Sequence, residues 1–101
     1  LLFRGIAMPA GLRPLGDLTP EQATFVTAAP ATSVREGLDA ELQRLGAAYR
    51  WVEPTVAEAT RNGQRGLLTI YPHPSAVVDL DGSPRFGDVA PGQVVVHLRS
   101  L

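Results

Sequence analysis

The sequence contains no cysteine and no lysine. Without cysteine the chain has no disulfide bond, no thiolate nucleophile and no cysteine-ligated metal site. Because all nine basic residues are arginine, the chain also lacks a lysine for Schiff-base chemistry or for a phosphate-binding P-loop. These two absences exclude several large classes of enzyme and metalloprotein.

Long apolar runs and a strong net charge are missing as well. No apolar stretch approaches the roughly 20 residues that span a bilayer, so we expect no transmembrane segment. The net charge of the 101 residues is −1, and a chain without a basic field is not expected to bind nucleic acid. Hydrophobic residues make up 45% and charged residues 19% of the chain, which is typical of one globular domain.

No motif for catalysis or metal binding stands out. His73 lies between two prolines and His97 lies on the polar side of an alternating segment. Neither has metal-ligand spacing, and we interpret both as surface residues. We interpret Asp79 as the solvent side of a strand and Asp81 as part of a turn with Gly82. We therefore predict a protein that is not an enzyme, with no catalytic, cofactor-binding or metal-binding residue and no cofactor.

Prolines and glycines divide the N-terminal part of the chain and block long regular elements there. We predict that residues 1–18 form an extended Pro/Gly-rich arm, in which Leu2, Phe3 and Ile6 are candidates for a short edge strand. Residues 19–101 are predicted to form a single α+β domain.

The start of this domain allows two interpretations. Thr19-Pro20-Glu21-Gln22 is typical of a helix N-terminus, with a capping threonine followed by proline, and favours a short helix over residues 19–29. The β-branched and aromatic residues of 23–28 favour a strand instead. We prefer the helix.

The next segment predicts the longest helix. Ser33 and Glu36 have the S-x-x-E spacing of a capping box. Apolar residues then recur at spacings of three and four, at Val34, Leu38, Leu42, Leu45 and Tyr49. The pattern predicts an amphipathic helix from Ser33 to Tyr49, with Gly46 as an alternative end. One apolar stripe cannot bury itself, so this helix needs a partner surface.

The second half of the chain predicts that partner. Asn62-Gly63 is a tight-turn signal, preceded by residues 54–62, which fit either a strand or a helix. The pattern then alternates with period two over 66–71, 75–80 and 93–99, as in half-buried antiparallel strands. We therefore predict a two-layer α+β fold class, with one or two helices packed on an antiparallel sheet of three to five strands.

Turn residues and strands follow one another in a recognisable order in this half. The order is Gly66, a strand with Leu68 and Ile70, Pro72 or Pro74, the strand Ala76-Val77-Val78-Asp79-Leu80, Asp81-Gly82, Gly87, Pro91-Gly92, and a strand with Val94, Val96 and Leu98. In this order residues 66–98 resemble the PEGA domain, a small β-sandwich module of surface-layer and envelope proteins. The chain departs from the family pattern where Pro74-Ser75-Ala76 lacks a glycine, and where the loop from Gly87 to Pro91 is short. The resemblance implies a binding or spacer role without catalytic residues, at the cell envelope; without it we expect the cytoplasm.

Aromatic and arginine residues are the best candidates for binding, since they dominate interaction hot spots. They are Trp51, Tyr71, Arg85 and Phe86, together with Leu2, Phe3 and Ile6 of the arm. The leading hypothesis is a non-catalytic protein-interaction or structural module, either a subunit of a larger assembly or a fragment of a longer chain. It would bind a protein partner or self-associate. The alternative is a small-molecule-binding sensory or regulatory domain, with a pocket between helix and sheet near Tyr49, Trp51 and Tyr71.

Overall fold

One α-helix packs against one face of a six-stranded antiparallel sheet in the computed structural model, which describes residues 11–15, 19, 21–87, 89–90 and 92–101. The elements are β1 (Arg13–Pro14), β2 (Gln22–Thr27), α1 (Ala31–Arg44), β3 (Ala48–Glu53), β4 (Val56–Arg61), β5 (Gln64–Tyr71) and β6 (Val94–Ser100). The strand order across the sheet is β1-β2-β6-β5-β4-β3. The predicted α+β class is confirmed with one helix, but the predicted three to five strands were too few. The predicted edge strand at Leu2, Phe3 and Ile6 lies outside the described residues.

Residues 22–27 form strand β2, so the preferred helix over 19–29 was wrong and the strand interpretation was right. Thr19 does behave like a capping residue, because its Oγ1 accepts a hydrogen bond from the Gln22 N–H at 3.1 Å. That bond closes a turn into a strand, not a helix. The valine-rich strand β6 decides the outcome, since Phe25 pairs with Val96 and Val26 with Val95. Tertiary pairing has overridden a local helix signal.

Helix α1 begins two residues earlier than predicted. Its N-cap is Pro30, at φ −61°, and no side chain caps the first turn. The Val34 N–H bonds to the Pro30 carbonyl at 3.1 Å. Ser33 and Glu36 therefore lie inside the helix, and the predicted capping box was wrong. Proline suits this position because its fixed φ is compatible with the helix start.

The helix ends at the glycine that the sequence offered as an alternative. Gly46 has φ +72°. Its N–H bonds to the Gln43 carbonyl and the Ala47 N–H bonds to the Leu42 carbonyl, both at 3.1 Å. This pair of bonds is a Schellman motif, which satisfies the last free carbonyls of a helix. Tyr49 therefore belongs to β3, and the predicted extension of the helix to that residue was wrong.

The core lies between α1 and the sheet. The helix contributes Val34, Leu38 and Leu42, all buried as the apolar stripe predicted. The strands contribute Phe25, Ala57, Ala59, Leu68, Ile70, Val94, Val96 and Leu98. Full burial of one such Val or Leu side chain stabilises the fold by about 1.5–3 kcal/mol relative to exposure. The alternation predicted over 66–71 and 93–99 is confirmed, since Leu68, Ile70, Val94, Val96 and Leu98 all face this core.

The turn predicted at Asn62-Gly63 is confirmed. The two residues have φ +53° and +79°, which are the positive values of the type I′ turn that suits a two-residue hairpin. They join β4 to β5. The sequence allowed either a strand or a helix for residues 54–62, and most of these residues form the strand β4. A second short connection, Pro54-Thr55, joins β3 to β4.

The segment between β5 and β6 is irregular. The strand predicted over 75–80 was wrong, because Pro74–Ala76 forms one 3₁₀ turn and Val78 makes only an isolated bridge with Pro84. Proline at position 74 lacks the N–H that a sheet ladder needs. Within the described part of the chain, no helix is long and apolar enough to cross a membrane.

Candidate functional site

The two faces of the sheet differ in what covers them. Side chains alternate along each strand, so those that meet α1 lie on one face and their neighbours lie on the other, which we call the helix-free face. At one end of the helix-free face Phe86 and Val89 pack on the sheet. There Val26, Val89 and Val95 are buried, with Leu15 and Phe86 packed around them. Beside this small second core, the described residues Thr24, Thr69 and His97 of the helix-free face are half-buried.

Three of the predicted interaction residues meet beside this second core. The rings of Tyr71 and Phe86 pack with centroids 5.0 Å apart and planes inclined by 55°. The Arg85 Nε–H donates to Asp79 Oδ1 at 2.9 Å. That hydrogen bond to Asp79 holds the pKa of Arg85 above its usual value, and the nearby Tyr71 acts in the same direction. The aromatic pair therefore fixes the base of the loop, while Arg85 stays about half exposed.

Residues 77–85 form a short hairpin beside these aromatic rings, which we call the 77–85 hairpin. The Arg85 N–H bonds to the Val77 carbonyl at 3.1 Å and the Asp79 N–H to the Ser83 carbonyl at 2.9 Å. Ser83 also donates two hydrogen bonds to Asp81 Oδ1, from Oγ at 2.6 Å and from the backbone N–H at 2.9 Å. These hydrogen bonds lower the pKa of Asp81, the side-chain bond most strongly. The hairpin is thus held by its own hydrogen bonds.

The tip of the 77–85 hairpin carries an apolar side chain. Leu80 is fully exposed there, and Val78 beside it is 56% exposed. The turn at Asp81-Gly82, predicted from the sequence, is confirmed by the Gly82 φ of +83°. A lone exposed leucine is common on protein surfaces. Here the exposed leucine lies at the tip of a hairpin that is held by its own hydrogen bonds.

A row of polar residues crosses the helix-free face next to the covered end. Thr24 of β2, His97 of β6 and Thr69 of β5 are neighbours in register. All three are half-buried, and His97 Nδ1 lies 2.9 Å from Thr24 Oγ1. Which atom donates depends on the imidazole tautomer. The sequence predicted His97 to be a surface residue; its ring is half-buried instead.

The surroundings of His97 disfavour its charged form. Burial lowers the pKa of His97, and the positive charges of Arg99 and Arg85 lower it further. Arg99 follows two positions along β6 and so lies on the same face. Arg85 comes from the hairpin above. Among the described residues no carboxylate forms an ion pair with Arg99, whereas Arg85 is paired with Asp79.

Trp51, the remaining described candidate, lies on the opposite face. It packs at the edge of the core between β3 and α1, as expected for a residue that caps the core beneath the helix. Its Nε1–H donates to Asp39 Oδ1 at 2.8 Å. Tyr49 lies on the same face, and its hydroxyl donates to the Asp39 carbonyl at 3.4 Å. Tyr71 lies across the sheet, so the structure does not bring Tyr49, Trp51 and Tyr71 together around one pocket.

A cleft of about 290 Å³ lies over β3, β4 and β5; of the residues named for the predicted pocket, Tyr49 lines it, whereas Trp51 and Tyr71 do not. Its polar lining includes Arg50, Glu58, Thr60 and Arg65. Arg50 and Glu58 form an ion pair at 3.5 Å across the strands. Cross-strand pairing explains why these residues share a face, but their spacing in the sequence alone did not single them out.

The sequence also missed Leu80 and His97 as members of a possible site. Leu80 was assigned to a strand face, and His97 was recognised only as a polar position. Leu2, Phe3 and Ile6 lie outside the described residues. Over the described ranges, no group of three or more His, Asp or Glu side chains could hold a metal ion.

Comparison with protein families, curated proteins and solved structures finds no match to this chain. The resemblance of residues 66–98 to the PEGA domain therefore stays a prediction.

Proposed function

We propose that this chain is a non-catalytic protein-interaction module that binds its partner through the 77–85 hairpin and the adjoining Tyr71–Phe86 pair. The observation that carries the proposal is Leu80, a fully exposed leucine at the tip of a loop held by its own hydrogen bonds. Tyr71 and Arg85 at the base of the hairpin support it, because tyrosine and arginine are frequent in interaction hot spots.

The rigidity of the loop favours binding. A loop that is already held in its bound shape loses little conformational freedom when a partner docks. The bonds from Ser83 to Asp81 and the ion pair between Arg85 and Asp79 hold the hairpin on either side of Leu80. The two carboxylates beside the leucine define the chemistry of the partner. We infer an apolar pocket with a basic rim on a second protein or on a second copy of this chain.

Photo-crosslinking tests this surface directly. A photoreactive amino acid replaces Leu80 in one variant and Val52 in another. Val52 is a matched control, because it is also an exposed apolar residue, at 44%, but lies on the edge strand β3. We expect a discrete adduct from position 80 and none from position 52. A separate partner protein gives this adduct in cells that express the chain, and self-association gives it in the purified protein as well. An adduct of twice the chain mass identifies self-association.

Two further variants separate the side chain from the loop shape. Leu80→Asn removes the apolar group, and Gly82→Ala places a side chain at φ +83° and strains the turn. Both are expected to reduce crosslinking from a reporter at position 78, with the rest of the domain still folded by circular dichroism. Equal labelling from positions 80 and 52, or none from position 80, contradicts the proposal.

A small-molecule-binding role is the second candidate, and the cleft between Arg50 and Arg65 supports it. Its volume is near the lower limit of typical ligand sites. Amide chemical shifts of Thr60 and Gly66, recorded against a panel of metabolites, test this role. Saturable shifts at both residues with one ligand support it, and a flat response to the whole panel counts against it.

A further inference from the structure

The cleft and the 77–85 hairpin lie at opposite ends of strand β5. Arg65 lines the cleft near the start of β5, whereas Tyr71, which packs at the base of the hairpin, is the last residue of that strand. The six positions between them correspond to about 20 Å of strand. Leu80 at the hairpin tip is fully exposed, so it does not fill the cleft of its own chain.

The cleft and the base of the hairpin share the helix-free face. Glu58 and Thr60 alternate with core residues along β4, as Tyr71 does along β5. The strand neighbours of Glu58 and Thr60 on this face include Arg50, Ala48 and Arg65. A face with a hairpin at one end and a cleft at the other is able to pair with its own copy. A two-fold axis through the middle of the face places each hairpin at the cleft of the other copy.

Differences in side-chain length shape the cleft. Ala48 and Thr60 are short and are neighbours in register. The longer side chains that line the cleft with them are those of Arg50, Glu58, Arg65 and Leu101. The volume of about 290 Å³ is near the lower limit of typical ligand sites. It therefore suits one inserted side chain.

Positive charge is in excess around the cleft. Arg50 and Arg65 are cationic and Glu58 is anionic. Glu58 is paired with Arg50, across 3.5 Å. Among the described residues no carboxylate forms an ion pair with Arg65. Arg65 is therefore available to a carboxylate from another molecule.

The tip of the hairpin carries groups that complement the cleft. Beside the apolar Leu80 lies Asp81, which is also exposed. Both hydrogen bonds from Ser83 reach Oδ1 of Asp81, so Oδ2 is the oxygen available to a partner. Asp79, on the other side of the leucine, is already bonded to Arg85. Asp81 is therefore the carboxylate that we expect to meet a basic partner.

We propose that the chain forms a dimer in which Leu80 of each copy enters the cleft of the other copy and Asp81 pairs with Arg65 there. Opposite charges and the fit of one apolar side chain to a small cleft support this contact. The inference rests on the function proposed for the hairpin and names a second copy of the chain as its partner. It also assigns the cleft to the hairpin, so a small molecule in the cleft would compete with the dimer.

Light scattering of the purified full-length chain across a dilution series tests the dimer. We expect the mass to fall from two chains to one on dilution, because small interfaces are weak. Leu80→Asn and Arg65→Asp should each raise the dissociation constant about tenfold or more, the first by removing the apolar group and the second by opposing two carboxylates. Arg44→Asp is the matched control, because it reverses a charge on α1, across the sheet from the cleft. A one-chain mass at every concentration, or equal weakening by Arg44→Asp and Arg65→Asp, overturns the proposal.

A charge exchange tests the contact between Asp81 and Arg65. Asp81→Arg opposes two arginines in its own dimer, as Arg65→Asp opposes two carboxylates. In a mixed dimer of the two variants, both hairpins meet a cleft of opposite charge, so an equimolar mixture should recover the two-chain mass. The amide shifts of Asp79 and Gly82, which are hydrogen-bonded within the hairpin, verify the loop in Arg65→Asp and the corresponding loop in Asp81→Arg. With both loops intact, a mixture that stays at the one-chain mass contradicts the contact.

Photo-crosslinking from position 80 separates failure of this inference from failure of the proposed function. A two-chain adduct whose crosslinked peptide contains cleft residues, at 48–50 or 58–66, supports both. An adduct with a different protein, or a two-chain adduct that maps elsewhere, overturns the dimer and leaves the hairpin as the binding surface. No adduct from position 80 overturns both.

Discussion

The guanidinium group of Arg35 lies over the indole ring of Trp51, with 4.3 Å between Cζ and the ring centroid. Arg35 also donates to the Pro54 carbonyl at 2.9 Å, and the indole N–H is bonded to Asp39, one helical turn further along α1. Because Trp51 lies on the edge strand β3, this group of contacts ties the end of the sheet to the helix. We expect these contacts to contribute to stability, since they hold the edge strand β3 against the core helix α1.

Asp39→Ala tests this connection. It removes the acceptor of the Trp51 N–H, and we expect the free energy of unfolding to fall by about 1–2 kcal/mol, as for a hydrogen bond to a charged group. Urea denaturation followed by circular dichroism measures the change. In a double-mutant cycle with Trp51→Phe, the two losses should be less than additive. Glu36→Ala, an exposed change on the same helix, is the control and should lie within about 0.5 kcal/mol of the parent. Full additivity in the cycle would show that the two side chains are not coupled.

The glycine at the end of α1 predicts a purely conformational effect. Gly46 has φ +72°, and an added Cβ would meet no other atom within 4 Å. Gly46→Ala should therefore destabilise the fold by about 1 kcal/mol through backbone strain alone. Gly87→Ala is the matched control, because a Cβ there also meets nothing within 4 Å but the backbone is not in the left-handed region. Chemical denaturation of both variants should separate them; equal midpoints would refute the strain argument.

The stability of the fold should depend on pH through His97. Its pKa in the folded chain is lowered by burial and by Arg99 and Arg85, while the unfolded chain has the ordinary value of about 6.5. The unfolded state therefore binds the proton more readily. Stability contributed by the neutral ring is fully present above pH 6.5 and is lost as the pH falls from there through the folded-state pKa.

Unfolding free energies measured between pH 8 and pH 5.5 check this sign. The slope of the unfolding free energy against pH over that range should be smaller in His97→Gln than in the parent chain. His73→Gln controls for the removal of an imidazole from an exposed position. An unchanged slope in His97→Gln would assign the pH dependence to other groups and contradict the prediction.

Truncation distinguishes the two parts of the predicted arm. Within residues 1–18, Arg13–Pro14 pairs with β2, Leu12 packs against the main core and Leu15 packs against Val26 and Val95. Deletion of residues 1–15 should therefore lower the free energy of unfolding by about 2 kcal/mol or more through lost apolar burial. Deletion of residues 1–10 keeps these contacts, so it is the cleaner test of whether the arm binds a partner. An equal loss of stability in both deletions would show that the β1 contacts do not account for it.

Local signals in the sequence were sufficient for some of the fold. The stripe of Val34, Leu38 and Leu42 located α1 and its buried side. The positive-φ pair Asn62-Gly63 located the β4–β5 hairpin, and the alternation around Val94 and Val96 located β6. Each of these features depends on residues within one element, so it could be read without knowledge of the rest of the chain.

The candidate site could be predicted only in part. Tyr71, Arg85 and Phe86 were singled out by residue type, and the structure places them together. Leu80 and His97 were missed, because the exposure of Leu80 depends on the hairpin around it. The half-burial of His97 depends on its neighbours in the adjacent strands, Thr24 and Thr69. No local pattern carries that information.

The sequence by itself determined the composition class, the apolar face of α1, the turn at Asn62-Gly63 and the period-two strands β5 and β6. Tertiary structure decided that residues 22–27 are a strand, since the edge of β6 offers a ladder of hydrogen bonds and a valine-rich surface that outweigh a capping signal at Thr19. It also decided which polar residues meet on the helix-free face. Register between strands joins residues as far apart in sequence as Thr24 and His97, and such pairing is set by the packing of the whole sheet.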